Sequence, residues 1–326
     1  MTEKFLVGVL GVAMSLTLVG QAVAQTDTSR TAWGHPDLQG VWDFRTITPM
    51  ERPDDLVGKE FLTAEEAAGL EQVRAAENDA RDGEVPADTV GNYNTFWFDY
   101  GDSVIGTMRT SLVTDPPDGK IPALTPAAER HRAAAAEARK DTGPHEPTPG
   151  GWVDDLGPNG LQVRCITGFN SGPPMTPGAY NNNVQVFQTA DSVVLLNEMN
   201  HNVRVVSLDG RPHHDLRQWT GDSRGYWDDD TLVVETRNFA RETSFMRGGA
   251  SADLRLSERF TRVAPDVLLY QVTVDDPMTW TRPWTYEVPM QLSPEPVFEY
   301  ACHEGNYAME VILTGARTRE AETAGR

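Results

Sequence analysis

From Leu161 to about residue 305 the chain breaks into short runs of alternating apolar and polar residues, each ended by turn-forming residues. The stretch "NNNVQVFQTADSVVLLNEMNHNVRVVSLDG" holds three runs, parted at Thr189-Ala190-Asp191 and Asn200-His201-Asn202. "GDSRGYWDDDTLVVETRNF" holds two, on either side of Asp228-Asp229-Asp230. "LRLSERFTRVAPDVLLYQVTVDDPMTWTRPWTYEVPMQL" holds three more, turning at Ala264-Pro265-Asp266 and Asp275-Asp276-Pro277, and "VFEYACH" reads as the last. A period of two sends successive side chains to opposite faces, which suits a half-buried strand. About nine short strands with no helix of crossover length between them argue against a doubly wound α/β fold. The expected class is mainly β: an antiparallel meander over 161–305 forming a curved sheet or barrel, within one β-rich domain over 25–326.

The part before residue 161 reads differently. Thr63 with Glu66 makes a capping box for a helix over 63–80, and Thr125 with Pro126 opens a second over 126–140. Both are rich in alanine and belong on the periphery. "TFWFDYGDSVIGTMRTSLVTDPPDGKIP" alternates like a hairpin that closes in a Pro-Pro-Asp-Gly turn, and 141–160 is loop by composition.

Lys4, an apolar run from Phe5 to Val19 and the small-x-small Ala22-Val23-Ala24 form a secretory signal over residues 1–24. The run is shorter than the ~20 residues a bilayer span needs. The mature chain is therefore expected in the periplasm or secreted, with no membrane insertion after cleavage. A net charge of −20 repels phosphate backbones, so no nucleic-acid partner is expected. The two cysteines, in an oxidising compartment, favour a Cys165–Cys302 disulfide over free thiols or a metal site.

Gly40-x-Trp42 on a first strand, followed by a meander, resembles the lipocalin or calycin barrel. "LTAEEA", "RTSLVTDPPDGKIP", "RCITGFN", "WTGDSRGYWDDDTLVVETRNF", "ERFTRV", "WTRPWTYEVPM" and "YACHEGNYAM" together resemble a family of exported bacterial proteins of unassigned function. That resemblance implies a single folded unit and carries over no catalytic residue.

Walker, Rossmann, nucleophile-elbow and zincin signatures are all missing, so no cofactor and no metal are expected. What remains is acid–base chemistry. A Cys165–Cys302 bridge would bring Arg164 beside His303, and Glu304 could join them through the turn at Gly305. The same parts could equally form a structural ion-pair cluster. The "GDSRG" loop offers Asp222 and Arg224 at a pocket mouth, or a plain turn with a surface ion pair. Trp280, Arg282, Trp284 and Tyr286 share i, i+2 spacing and could present a ligand face, or fill the core. Glu198 and His201 form a Glu-x-x-His that would be a metal motif on a helix. Set between two strand-like runs, they instead flank a hairpin turn, where they are candidate substrate-binding residues. The tandem His213-His214 follows a Gly-Arg-Pro loop and reads as solvent-exposed. The expected function is a cofactor-independent hydrolase or lyase acting on a small organic or sugar-like substrate, with His303 carrying the proton and Glu304 orienting it. The alternatives are a periplasmic binding or carrier protein using the same small-molecule pocket, and a structural envelope protein with no pocket.

Overall fold

The structure, a computed structural model, describes residues 29–81, 98–143, 146–149, 160–240, 245 and 249–325. The secretory signal expected over residues 1–24 lies outside the described residues. The main body is a barrel of nine strands: β1 (Gly40–Asp43), β3 (Asn183–Gln188), β4 (Ser192–Asn197), β5 (Val203–Ser207), β6 (Asp222–Asp228), β7 (Thr231–Arg237), β8 (Arg255–Ala264), β9 (Val267–Asp275) and β10 (Trp284–Ser293). A tenth, β2 (Val113–Asp115), pairs with β10 from outside. The barrel closes because β1 lies antiparallel to both β3 and β10, an arrangement compatible with a lipocalin-like barrel. Peripheral helices are α1 (Ala64–Arg81), α2 (Pro126–Ala138), the short α3 (Gly160–Val163) and α4 (Ala308–Ala324). No described helix is long and apolar enough to cross a membrane.

Period-two patterning sets what is inside. From β10, Trp284, Tyr286, Val288 and Met290 point inward; from β9, Leu268, Tyr270, Val272 and Val274 meet them. The expected capping box is present at α1: Glu66 N–H donates to Thr63 Oγ1 (3.2 Å) and Thr63 N–H to Glu66 Oε2 (2.8 Å).

Two junctions of the barrel press a glycine against the neighbouring strand. Gly40 has φ +138°, and a Cβ there would stand 2.7 Å from Leu292 Cδ1 on β10. On β6, a Cβ at Gly225 would stand 2.7 Å from Val206 Cγ1 on β5. That second junction departs from the expected all-antiparallel meander. β5 and β6 are parallel, paired at the single position Ser207↔Arg224, because the exposed connection 208–221 carries the chain back along the barrel before β6 begins.

Three further expectations are corrected. "VFEYACH" is not a strand, since the edges of β10 are already taken by β9, β1 and β2. In the described part of the expected hairpin, only Val113–Asp115 is strand. Its backbone bonds instead to the segment before α1, as in Leu62 N–H to Met108 O (2.7 Å) and Thr110 N–H to Glu60 O (3.0 Å). The C-terminal helix α4 was not foreseen.

At the barrel's centre Glu258, with no exposed surface, accepts both Nη groups of Arg204 at 2.7 and 2.9 Å. Tyr270 donates its hydroxyl to Glu258 (2.6 Å), Met175 N–H donates to that hydroxyl (3.1 Å), and Tyr286 donates to Met175 O (2.6 Å). Burial, then the Glu258 charge, raises both phenols well above the usual tyrosine range.

Two outcomes follow. Glu258→Leu should cost about 3–5 kcal/mol in urea unfolding by leaving Arg204 buried and unpaired, and the double variant Arg204→Met/Glu258→Leu should recover most of it. Because the folded pKa values of Tyr270 and Tyr286 are raised, their contribution to stability is complete below about pH 10 and is lost as pH rises through the folded values. Absorbance titration of native protein should therefore leave two of the eight tyrosines un-ionised until the barrel unfolds.

Candidate functional site

Where β5 and β6 part, a cleft of about 490 Å³ opens on the outer surface, lined by Ile166, Asn202, Val203, Ala240 and the run Arg217–Thr220. The run is held open by neighbours of β7. Gln218 N–H donates to Asn238 O (2.9 Å), Ala240 N–H donates to Gln218 O (2.7 Å), and Arg217 Nη1 reaches Phe239 O (3.0 Å). Trp219 (36% exposed) and Val203 (54%) add apolar surface. A second cleft of about 220 Å³ lies elsewhere, beside Thr46, Tyr100 and Pro177.

The same connection folds around Asp222, the first residue of β6 and 4% exposed. Oδ2 accepts from His213 Nδ1 (3.0 Å) and from the His214 N–H (3.1 Å). Oδ1 meets Arg224 Nη1 at 2.6 Å and His214 Nε2 at 3.3 Å. Arg224 also donates to the carbonyls of Ser223 (2.8 Å) and Pro212 (3.3 Å). The buried charge is thus matched by a guanidinium and shared hydrogen bonds, the condition under which a buried carboxylate is tolerated. The two histidines differ in what they can do. His213 is largely enclosed and its Nε2 is sealed without a partner. The His214 side chain is 45% exposed, and its Nε2 lies 3.4 Å from the amide of Gln218, which lines the cleft.

The disulfide Cys165–Cys302 is formed, with Cα atoms 5.9 Å apart. It does not assemble a closed acid–base centre. His303 and Glu304 are exposed, Arg164 is half-buried, and among the described residues no hydrogen bond or ion pair joins these three to one another or to Arg224. Glu198 and His201 act instead as a clamp. Glu198 accepts from Asn183 Nδ2 (2.8 Å) and Phe298 N–H (3.4 Å), while His201 Nε2 lies 3.1 Å from the Tyr300 amide. Trp284 and Tyr286 are fully buried, and Trp280 packs edge-on against Trp284 (5.6 Å). Arg282 leaves that face for solvent and pairs with Asp115 (2.7 Å), because strand alternation begins only at Trp284.

Of the sequence-selected residues, Asp222 and Arg224 are brought together. Their partners His213 and His214 were singled out only as an exposed tandem. A carboxylate eight and nine positions downstream at a strand start was the available signal. Among the described residues no group of three or more His, Cys, Asp or Glu side chains gathers to hold a metal. Comparison with protein-family models, curated proteins and solved structures returns no match. The resemblance to an exported bacterial family therefore rests on the sequence wording alone.

The disulfide closes a span of 137 residues, so on the chain-entropy account the double variant Cys165→Ser/Cys302→Ser should lose roughly 5 kcal/mol at most. Denaturant unfolding with and without reductant measures it, and the reduced native protein should match the variant.

Proposed function

We propose that the protein is an exported acid–base enzyme, a hydrolase or lyase, that handles a small organic or sugar-like substrate at the cleft between β5 and β6. The observation that carries this reading is the position of His214, with one ring nitrogen on buried Asp222 and a neighbour, Gln218, lining the cleft. His214 takes the role first expected of His303. Asp222 fixes its orientation and stabilises the imidazolium that forms, as a buried carboxylate does for a general base. Arg224 balances the Asp222 charge, so that carboxylate stays an acceptor. Arg217, whose Nη1 is held by Phe239 O and Ala252 O and whose Nη2 stands 3.8 Å from Asp253, lines the cleft wall and would lend positive charge to an anionic substrate or developing oxyanion. Export rests on the signal sequence over residues 1–24.

A second reading, a small-molecule binding or carrier protein, is favoured by Trp219 and Val203, which give the cleft an apolar strip. The two readings part on one experiment. Mature protein is incubated with pooled small esters, lactones, sugar acids and phenolic glycosides, and the pool is followed by proton NMR. The enzyme reading expects one component to be consumed, and His214→Ala to slow that by roughly 10²-fold or more at an unchanged melting temperature. Asp222→Asn should slow turnover and also lower the melting temperature. Binding without consumption, abolished by Trp219→Ala and indifferent to His214→Ala, would establish the carrier reading instead.

A further inference from the structure

Strand β5 is fully laddered on one side only. Its ladder with β4 is bounded by two backbone bonds, Asn197 N–H to Asn202 O (2.9 Å) and Leu208 N–H to Asp191 O (2.8 Å). Antiparallel pairs alternate between bonded and non-bonded, so between those limits Arg204 and Val206 carry the bonds to β4. The main-chain groups of Val203 and Val205 therefore point the other way, towards β6. β6 meets β5 only at Ser207↔Arg224. Among the described residues the N–H and C=O of Val203 and the N–H of Val205 find no partner. Val203 lines the cleft, so an open strand edge starts there and runs towards the β5–β6 junction.

Donor, acceptor and donor in a row at strand spacing are matched by another extended backbone. Open edges are commonly guarded by lysine, proline or a bulge. β5 has none of these: its outward side chains are Val203 and Val205 (62% exposed), while Arg204 turns inward. The two valines extend an apolar strip on the outer face. Val205 lies beside Val194 and Val194 beside Phe187, while Val203 lies beside Leu196. Trp219 lines the same cleft. A space of about 490 Å³ has the size of a small-ligand pocket and is bounded by the Arg217–Thr220 run, which leaves no room for a second barrel. Two copies of a chain of net charge −20 also repel each other, whereas that charge attracts a basic segment.

We propose that the cleft takes a short extended peptide with basic flanks, which adds to the barrel as a strand on the open edge of β5. Apolar side chains at its alternate positions lie against Val203, Val205 and Trp219. The inference rests on the reading above in placing function at this cleft, and it names the chemical class of the ligand, whether that ligand is carried or turned over.

The probe is the hexapeptide acetyl-Lys-Val-Thr-Val-Thr-Lys-amide, added to isotope-labelled mature protein and followed by NMR amide shifts and hydrogen exchange. In free protein the Val203 and Val205 amides should exchange quickly and those of Arg204 and Val206 slowly. The peptide should shift and protect the first pair. Two sister peptides, N-methylated at both valines or at both threonines, present their methyl groups to opposite edges of the added strand. One of them should bind at least about tenfold more weakly and the other equally well, and which one loses reports the strand direction. Val205→Pro removes an edge N–H but no bond to β4, and should weaken binding to a similar degree at a nearly unchanged melting temperature. If that variant does not fold, the methylated pair decides on wild-type protein. Val203 and Val205 amides already protected in free protein would overturn the open edge. So would the absence of any shift at ~1 mM peptide, or equal loss from both methylated sets. His214→Ala should leave docking intact. Docking of a peptide with no turnover of any substrate overturns the enzyme reading and keeps the edge; consumption of a non-peptide substrate with Val203 and Val205 unprotected does the reverse.

Discussion

The pair between Arg204 on β5 and Glu258 on β8 fixes the rest of the architecture. A carboxylate with no exposed surface is tolerated only where a guanidinium meets it through both nitrogens and further donors complete it. Tyr270 supplies one such donor, and burial followed by the Glu258 charge holds that phenol in its neutral form. Burial pulls the Arg204 guanidinium towards neutrality, yet the Glu258 charge outweighs it and leaves the pKa raised. The pair also crosses the barrel interior. β5 has a full ladder with β4 but one paired position with β6, so a bond from β5 to β8 ties down the strand that the sheet holds least.

From the same network the closure of the barrel mouth follows. Tyr270 and Tyr286 reach the backbone of Met175, whose loop runs through buried Thr167, Asn170 and Ser171. The interior is thus filled by aromatic side chains and capped by the chain itself, as small barrels are. The usable space lies outside, where the return connection 208–221 holds β6 away from β5. One topological step, a parallel pair in an otherwise antiparallel barrel, produces both the cleft and the loop that gathers His213 and His214 around Asp222.

Much of the fold was legible in the sequence. Alternation located eight of the strands, the turns at Asp228–Asp230 and Ala264–Asp266 fell where expected, and the caps at Thr63 and Thr125 marked helix starts. Local patterns were sufficient there because turn chemistry and period are local properties. The parallel junction was not legible, since a run of polar residues over 208–221 reads equally as a loose hairpin loop or a return crossing. "VFEYACH" alternates as well as any true strand, but pairing depends on a free edge, and the sequence does not say that β1 has taken it. The site suffered most from this. Arg164, His303 and Glu304 were joined by reasoning through the disulfide, which constrains Cα positions and leaves exposed side chains pointing where solvent takes them.

The role of the C-terminal stretch around Cys302 then follows from what each residue holds. Glu198 and His201 engage the backbone at Phe298 and Tyr300, the disulfide joins 302 to 165, and Asn306 Nδ2 donates to Val163 O (2.9 Å). Four attachments over nine residues bind a segment that is largely exposed and has no strand partner. All of them land on the β4–β5 turn or on the chain around Cys165. A covalent bridge placed there limits opening of the one mouth that is closed by a loop instead of a strand. Its chief contribution is therefore to keep Ile166 and Asn202 in register with the Arg217–Thr220 run across the cleft. On the proposed reading, chemistry at that cleft would depend on the disulfide through the position of its walls, without a role for either sulfur or for His303 in contact with substrate.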